Sequence, residues 1–94
     1  MTRSDLIRTL SARHPQFTAD DTELAVRTIL DAMKSALVRG DRIEIRGFGS
    51  FSLKYKPPGK AHNPKTGEIL QIKAKRLPHF KAGGQLRARV DTQA

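Results

Sequence analysis

The sequence predicts an α+β fold: an N-terminal helical hairpin, a three-stranded antiparallel sheet with a protruding two-stranded β-arm, and a short C-terminal helix. Three observations carry this. Apolar residues recur at helical spacing as far as Leu37, and the spacing changes to alternation from Ile43. Beyond that, Lys60-Ala61-His62-Asn63-Pro64-Lys65-Thr66-Gly67 has the chemistry of a hairpin tip.

The first helix opens at Thr2, whose spacing to Asp5 is that of an N-cap, and Leu6, Ile7 and Leu10 then share one face. His14-Pro15 closes it near Arg13, because the residue before proline avoids helical geometry. Phe17-Thr18 opens the second helix, with Thr18 as N-cap, Asp21 at the third helical position, and acids gathered where the helix dipole favours them. Leu24, Ala25, Ile29, Met33, Ala36 and Leu37 continue an apolar stripe expected to be ordinary core, and Gly40 suits a C-cap. A short turn between the two helices makes them an αα-hairpin.

In the alternating part, Ile43 and Ile45 share one strand face and Arg42, Glu44 and Arg46 the other. Gly47-Phe48-Gly49 is expected to be a tight turn with Phe48 buried, not a dinucleotide-binding loop. Phe51, Leu53 and Tyr55 resume the apolar face, opposite Lys54 and Lys56. Arg42 to Ile45 and Ser50 to Lys56 therefore form a hairpin whose apolar side is expected to cover the helices.

Pro57-Pro58-Gly59 ends regular pairing and marks the base of the arm. The arm runs out from the Ser50 to Lys56 side and back along Glu68 to Leu77. At its tip Asn63-Pro64 initiates the turn, Thr66 hydrogen-bonds locally and Gly67 supplies a permissive backbone. Leu77-Pro78-His79-Phe80 returns to the body, and Gly83-Gly84 precedes a last helix over Gln85 to Val90, with Asp91 to Ala94 expected to fray. The 94 residues make one domain: a helical part over 1–40, the sheet over 41–82 with the arm at about 56–76, and the helix and tail over 83–94.

The net charge of +9 is concentrated. Five cations and five acids balance over residues 1–38, whereas thirteen Lys or Arg face four acids from Arg39 onward. Lys54, Lys56, Lys60, Lys65, Lys73, Lys75 and Arg76 cluster on or near the arm. A two-stranded ribbon is marginal alone in water. A projecting cationic one is suited to lie along an anionic polymer, and nucleic acid is the obvious candidate. The apolar, rigid Pro64 between Asn63 and Lys65 fits a minor-groove wedge with polar neighbours that read the groove floor.

Other classes find little support. Cysteine is absent, and His14, His62 and His79 lack the spacing of metal ligands, so neither a metal nor another cofactor is expected. The carboxylates fall mostly in caps and on exposed helix faces, and no phosphate-cradling loop or nucleophile elbow occurs; no catalytic residue and no small-molecule substrate are assigned. No apolar run approaches the roughly 18 residues of a membrane span, and no signal-peptide segment is present, so a cytoplasmic protein with no membrane partner is expected. An RNA-binding protein is the competing class. RNA readers usually stack bases on aromatic platforms, and aromatics here make up 5% of the chain.

Gly47-Phe48-Gly49-Ser50-Phe51, the Asn63-Pro64-Lys65-Thr66-Gly67 tip and Pro78-His79-Phe80-Lys81 together resemble the bacterial HU/integration host factor family of DNA-bending proteins, over nearly the whole chain. The resemblance implies an intertwined dimer. Residues 1–40 would serve dimerisation, and two arms would wrap the minor groove of double-stranded DNA, a mode for which this family is itself a standard illustration. The partner chain would be a related alpha-type subunit or a second copy, and the place of action the nucleoid, in recombination, replication and transcription control.

By resemblance Pro64 is the intercalating wedge, and Arg42, Glu44 and Arg46 lie nearest the DNA where sequence preference arises. Asn63, Lys65 and Thr66 flank the wedge. Lys54, Lys56, Lys60, Lys73, Lys75, Arg76 and Lys81 would neutralise phosphates, and the turn bearing Arg3 and Ser4 would add a backbone contact. His62 stands where the family usually has arginine, so tighter binding is expected at mildly acid pH, around the value of about 6.5 at which free histidine titrates. Ala82 and Gly84 replace the usual proline and lysine.

Overall fold

Polar side chains next to the helix starts fix where the first two helices begin. The structure, a computed structural model, describes residues 1–92; Gln93 and Ala94, part of the tail expected to fray, lie outside the described residues. Helix α1 spans Arg3–Arg13. The Thr2 hydroxyl accepts from the Asp5 amide at 3.1 Å and the Asp5 carboxylate accepts from the Thr2 amide at 2.9 Å, a reciprocal capping box. The His14 amide donates to Leu10 before the chain turns at Pro15.

Helix α2, Ala19–Val38, begins with the Asp21 amide donating to the Thr18 hydroxyl at 3.1 Å. It ends in a Schellman turn. Gly40 takes φ +87°, its amide donates to Leu37 and the Asp41 amide donates to Ala36, both at 2.9 Å.

The stripe on α2 is not the ordinary core expected of it. Among the described residues Val26 is the one buried apolar side chain, beside buried Thr22, while Leu24 and Ile29 are 58% and 61% exposed. Leu10, His14, Phe17, Ala25, Val26 and Ile29 line an open apolar groove. The physical reason is shortage of cover: α1 has eleven residues against twenty, and only its Leu6, Ile7 and Leu10 are half-buried apolar groups.

Five strands follow: β1 Ile43–Ile45, β2 Gly49–Lys56, β3 Gly59–His62, β4 Ile69–Ile72 and β5 Lys75–Ala82. They form two sheets, β1-β2-β5 and the ribbon β3-β4, all antiparallel. The arm is thus a separate ribbon, not a continuation of β2. Lys75 and Arg76 pair with Lys56 and Tyr55 in the main sheet, so the returning strand begins two residues before Leu77. Pro57-Pro58 supplies no backbone donors, and the ladder stops there on one side and at Lys73-Ala74 on the other.

On the apolar face Ile43, Phe51 and Phe80 lie abreast across three strands. Ring centroids stand 4.7 Å apart for Phe51 and Phe80 and 5.3 Å for Phe48 and Phe80, within the range where tilted aromatic pairs attract. Phe48 is 43% exposed, not buried as expected, because its turn lies at the end of the ladder and the other two rings meet it from within the sheet. Gly49 permits the close approach of β2 and β5: a Cβ there would stand 2.5 Å from the Lys81 carbonyl oxygen and 2.7 Å from the Phe80 ring. Helix α3, Gly84–Asp91, closes the described chain. Met1–Ser35 and Ala36–Ala94 are two compact units.

Candidate nucleic-acid interface

Alternation along the strands separates the sheet into an apolar and a cationic face. Paired residues point the same way, so Glu44, Ser50 and Lys81 lie abreast on the cationic side, followed by Ser52 with His79, Lys54 with Leu77, and Lys56 with Lys75 at the arm root. Arg42 and Arg46 flank β1 on that side. The Arg42 guanidinium meets Glu44 at 3.0 Å, an exposed pair of small energetic weight. Among the described residues no carboxylate lies within ion-pair distance of Arg46, Lys81 or the lysines of the arm and its root.

One end of this face is a concavity of about 630 Å³ lined by Arg42, Glu44, Arg46, Ser50, Lys81 and a residue the sequence analysis did not single out, Arg87. Arg87 reads locally as one more exposed helix position. The Gly83 amide donates to the Phe48 carbonyl at 2.9 Å, docking the start of α3 on the β1–β2 turn and turning Arg87 into the concavity. Gly83-Gly84, with no side chain to hold the chain off that turn, was the only local hint.

In the arm, Lys60 pairs with Gln71 and His62 with Ile69 on one side of the ribbon, while Ala61 and Leu70 occupy the other with Ile72. The tip is held by its own polar groups. The Asn63 amide donates to Glu68 at 2.9 Å and the Gly67 amide to Asn63 at 2.7 Å. The Asn63 side-chain oxygen accepts from the Lys65 amide at 2.9 Å, and the Thr66 hydroxyl accepts from the Glu68 amide at 3.3 Å. Gly67 sits at φ +70°, in the left-handed region. Pro64, Lys65 and Thr66 are all exposed.

One predicted residue of the sheet stands apart from its cationic face. Arg76 pairs with Tyr55 and so points to the opposite side of the sheet. Arg3 and Ser4 lie exposed in the first turn of α1, in the other unit. There the Asp5 amide is taken by the Thr2 hydroxyl and the Leu6 amide by the Thr2 carbonyl. The Arg3 and Ser4 amides remain as the open donors of that turn among the described residues. Lys73 lies exposed between β4 and β5. The described residues contain no cluster of three metal-ligating side chains and no helix long and apolar enough to cross a membrane.

What the geometry offers is a sheet face rich in cations and a ribbon whose tip is locked by its own polar groups. A family model described as "Bacterial DNA-binding protein" matches residues 1–91. The chain belongs to this family. Integration host factor subunit beta of Dechloromonas aromatica is 62% identical over 91 residues, covering 97% of each chain. That of Laribacter hongkongensis is 57% identical over 94 residues, covering 100% of this chain and 95% of the relative. Among solved structures, HU of Anabaena in a cocrystal with DNA superposes with a TM-score of 0.84 at 29% identity, over 96% of this chain and 97% of that one. HU from Thermotoga maritima gives 0.64 at 26% identity, over 96% and 98%. The architecture is therefore the HU-like α+β fold with a two-stranded arm, and the family is one of architectural DNA-binding proteins, not of enzymes.

Proposed function

We propose that this chain is one subunit of a dimeric, nucleoid-associated protein that bends DNA by laying its arm in the minor groove and wedging Pro64 between base pairs. The observation that carries the proposal is the tip itself. An exposed proline stands at the apex of a turn locked by the Asn63 side chain and the Thr66 hydroxyl, so the wedge is ordered before it meets DNA. Asn63, Lys65 and Thr66 flank the wedge, and Lys60 and His62 share one side of the ribbon behind it.

The cationic sheet face takes the flanking duplex. Lys54, Lys56, Lys73, Lys75 and Lys81 oppose phosphates, while Arg42, Glu44 and Arg46 stand where a modest sequence preference arises. The Arg3 and Ser4 amides add a backbone contact. Sharp bending of a short duplex costs up to about 10 kcal/mol, and the added phosphate contacts with their released counterions offset it. Sequences that deform easily are then favoured.

A partner subunit follows from the shortage of core. Phe17, Leu24, Ile29 and Val38 are all more than half exposed, and an apolar surface of this kind is closed by association. An alpha-type relative or a second copy fills that role. The aromatic residues argue against an RNA reader: Phe48, Phe51 and Phe80 stack on one another instead of forming a platform for bases.

The test is energy transfer between the ends of a labelled duplex. Pro64→Ala is expected to relax the bend while changing affinity much less, because the phosphate contacts remain. A variant that keeps the full bend would remove the wedge role.

A further inference from the structure

We infer that Arg76 is a positioning residue, whose guanidinium ties the root of the arm to the C-terminal end of α2, and not a phosphate ligand. Two placements lead to this. The first is register. Tyr55 with Arg76 is the last rung but one of the β2–β5 ladder, immediately before pairing stops at Pro57-Pro58 and Lys73-Ala74. Lys56 and Lys75, one rung further out, face the cationic side, so Arg76 faces away from the surface that the DNA would follow.

The second placement is what it meets there. A Cβ built on Gly40 would lie 3.9 Å from the Arg76 Nη1 atom. Gly40 is the left-handed residue that ends the 20-residue α2, where the helix carbonyls gather partial negative charge. The last turn of α2 carries no basic residue of its own. The neighbouring cation, Arg39, turns its Nε to the Asp41 carboxylate at 3.2 Å. Arg76 is thus a cation brought near this helix end from a different element, with the sign of charge that the helix dipole favours there.

The location gives the contact leverage. From Pro58, where pairing has stopped, to Pro64 the arm reaches roughly 20 Å at about 3.3 Å per residue. A tilt of about 6° at the root therefore moves the wedge by about 2 Å, a large part of the 3.4 Å spacing between base pairs. The ribbon has no core to resist such a tilt, so its direction is set where it leaves the body.

The consequence for bending rests on the proposed function, and the test includes a readout free of DNA. In the assembled protein, Arg76→Gln is expected to speed amide exchange at Gly40, Asp41 and Lys56 by about two- to five-fold, the range expected for loss of a charge at a helix end. Arg76→Lys should restore most of that protection. On DNA, Arg76→Gln should leave the slope of log K against log salt unchanged and broaden the distribution of end-to-end distances in a bent duplex.

A slope reduced by about 0.9 would make Arg76 a phosphate ligand after all and overturn the inference. Unchanged exchange would remove the tie to α2, and an unchanged distance distribution would remove the positioning role. If the wild-type protein failed to bend DNA, the proposed function would fall, whereas the exchange comparison would still decide whether Arg76 holds the root.

Discussion

The main sheet and the arm are both antiparallel, alternate along their strands and carry lysines, yet they are held by different forces. In the main sheet, Phe48, Phe51 and Phe80 stack and Gly49 lets β2 and β5 close to near contact. In the arm, Ala61, Leu70 and Ile72 share a face but Leu70 and Ile72 remain exposed, and order comes from the backbone ladder and the side-chain bonds of Asn63 and Thr66. The contrast teaches where strength is spent. Ring packing holds the main sheet together, and local turn chemistry holds a tip that needs no core.

Substitutions that strike one region and spare the other sharpen this contrast. The largest effect is expected from Gly49→Ala, whose new methyl meets the Lys81 carbonyl and the Phe80 ring at 2.5 and 2.7 Å. Overpacking of this kind costs about 2–3 kcal/mol, read as a lower urea midpoint with unchanged slope. A midpoint equal to that of wild type would show that the sheet is looser than the ring stacking implies.

Gly67→Ala forces a side chain into the left-handed region at φ +70°, a cost of roughly 1 kcal/mol confined to the tip. DNA affinity should fall about five-fold while the unfolding midpoint stays put; a joint fall would mean that arm and body unfold as one.

Lys56→Gln removes one cation at the arm root and should lower the salt slope by about 0.9 with little sequence dependence. An unchanged slope would place the DNA path elsewhere. The smallest change is expected from His62→Arg, which puts a permanent cation beside Lys60 on the ribbon and should tighten binding a few-fold near neutral pH. Equal affinity of the two proteins from mildly acid to neutral pH would show that the imidazole does not face the duplex.

Much of the fold was legible because its signals are local. Thr2 with Asp5, Thr18 with Asp21, and Gly40 act within one helical turn, and each caps where the sequence places it. The tip was legible for the same reason: the Asn63 and Thr66 side chains accept from the Lys65 and Glu68 amides two residues on, and Gly67 takes the left-handed turn. Arg87 was not, since its place depends on how α3 docks on a turn almost forty residues earlier. Nor was the exposure of Leu24 and Ile29, because periodicity shows that a face is apolar and says nothing about what covers it.

The chain by itself determined the caps, the turn at Asn63 to Gly67 and the confinement of net positive charge to the residues after Val38, all properties of neighbouring residues. Only the tertiary structure decided that Lys75 and Arg76 belong to the main sheet and that these adjacent cations face opposite ways. The reason is the two-residue period of a strand: which face a side chain takes depends on pairing with a distant segment, and a shift of one residue would exchange the two.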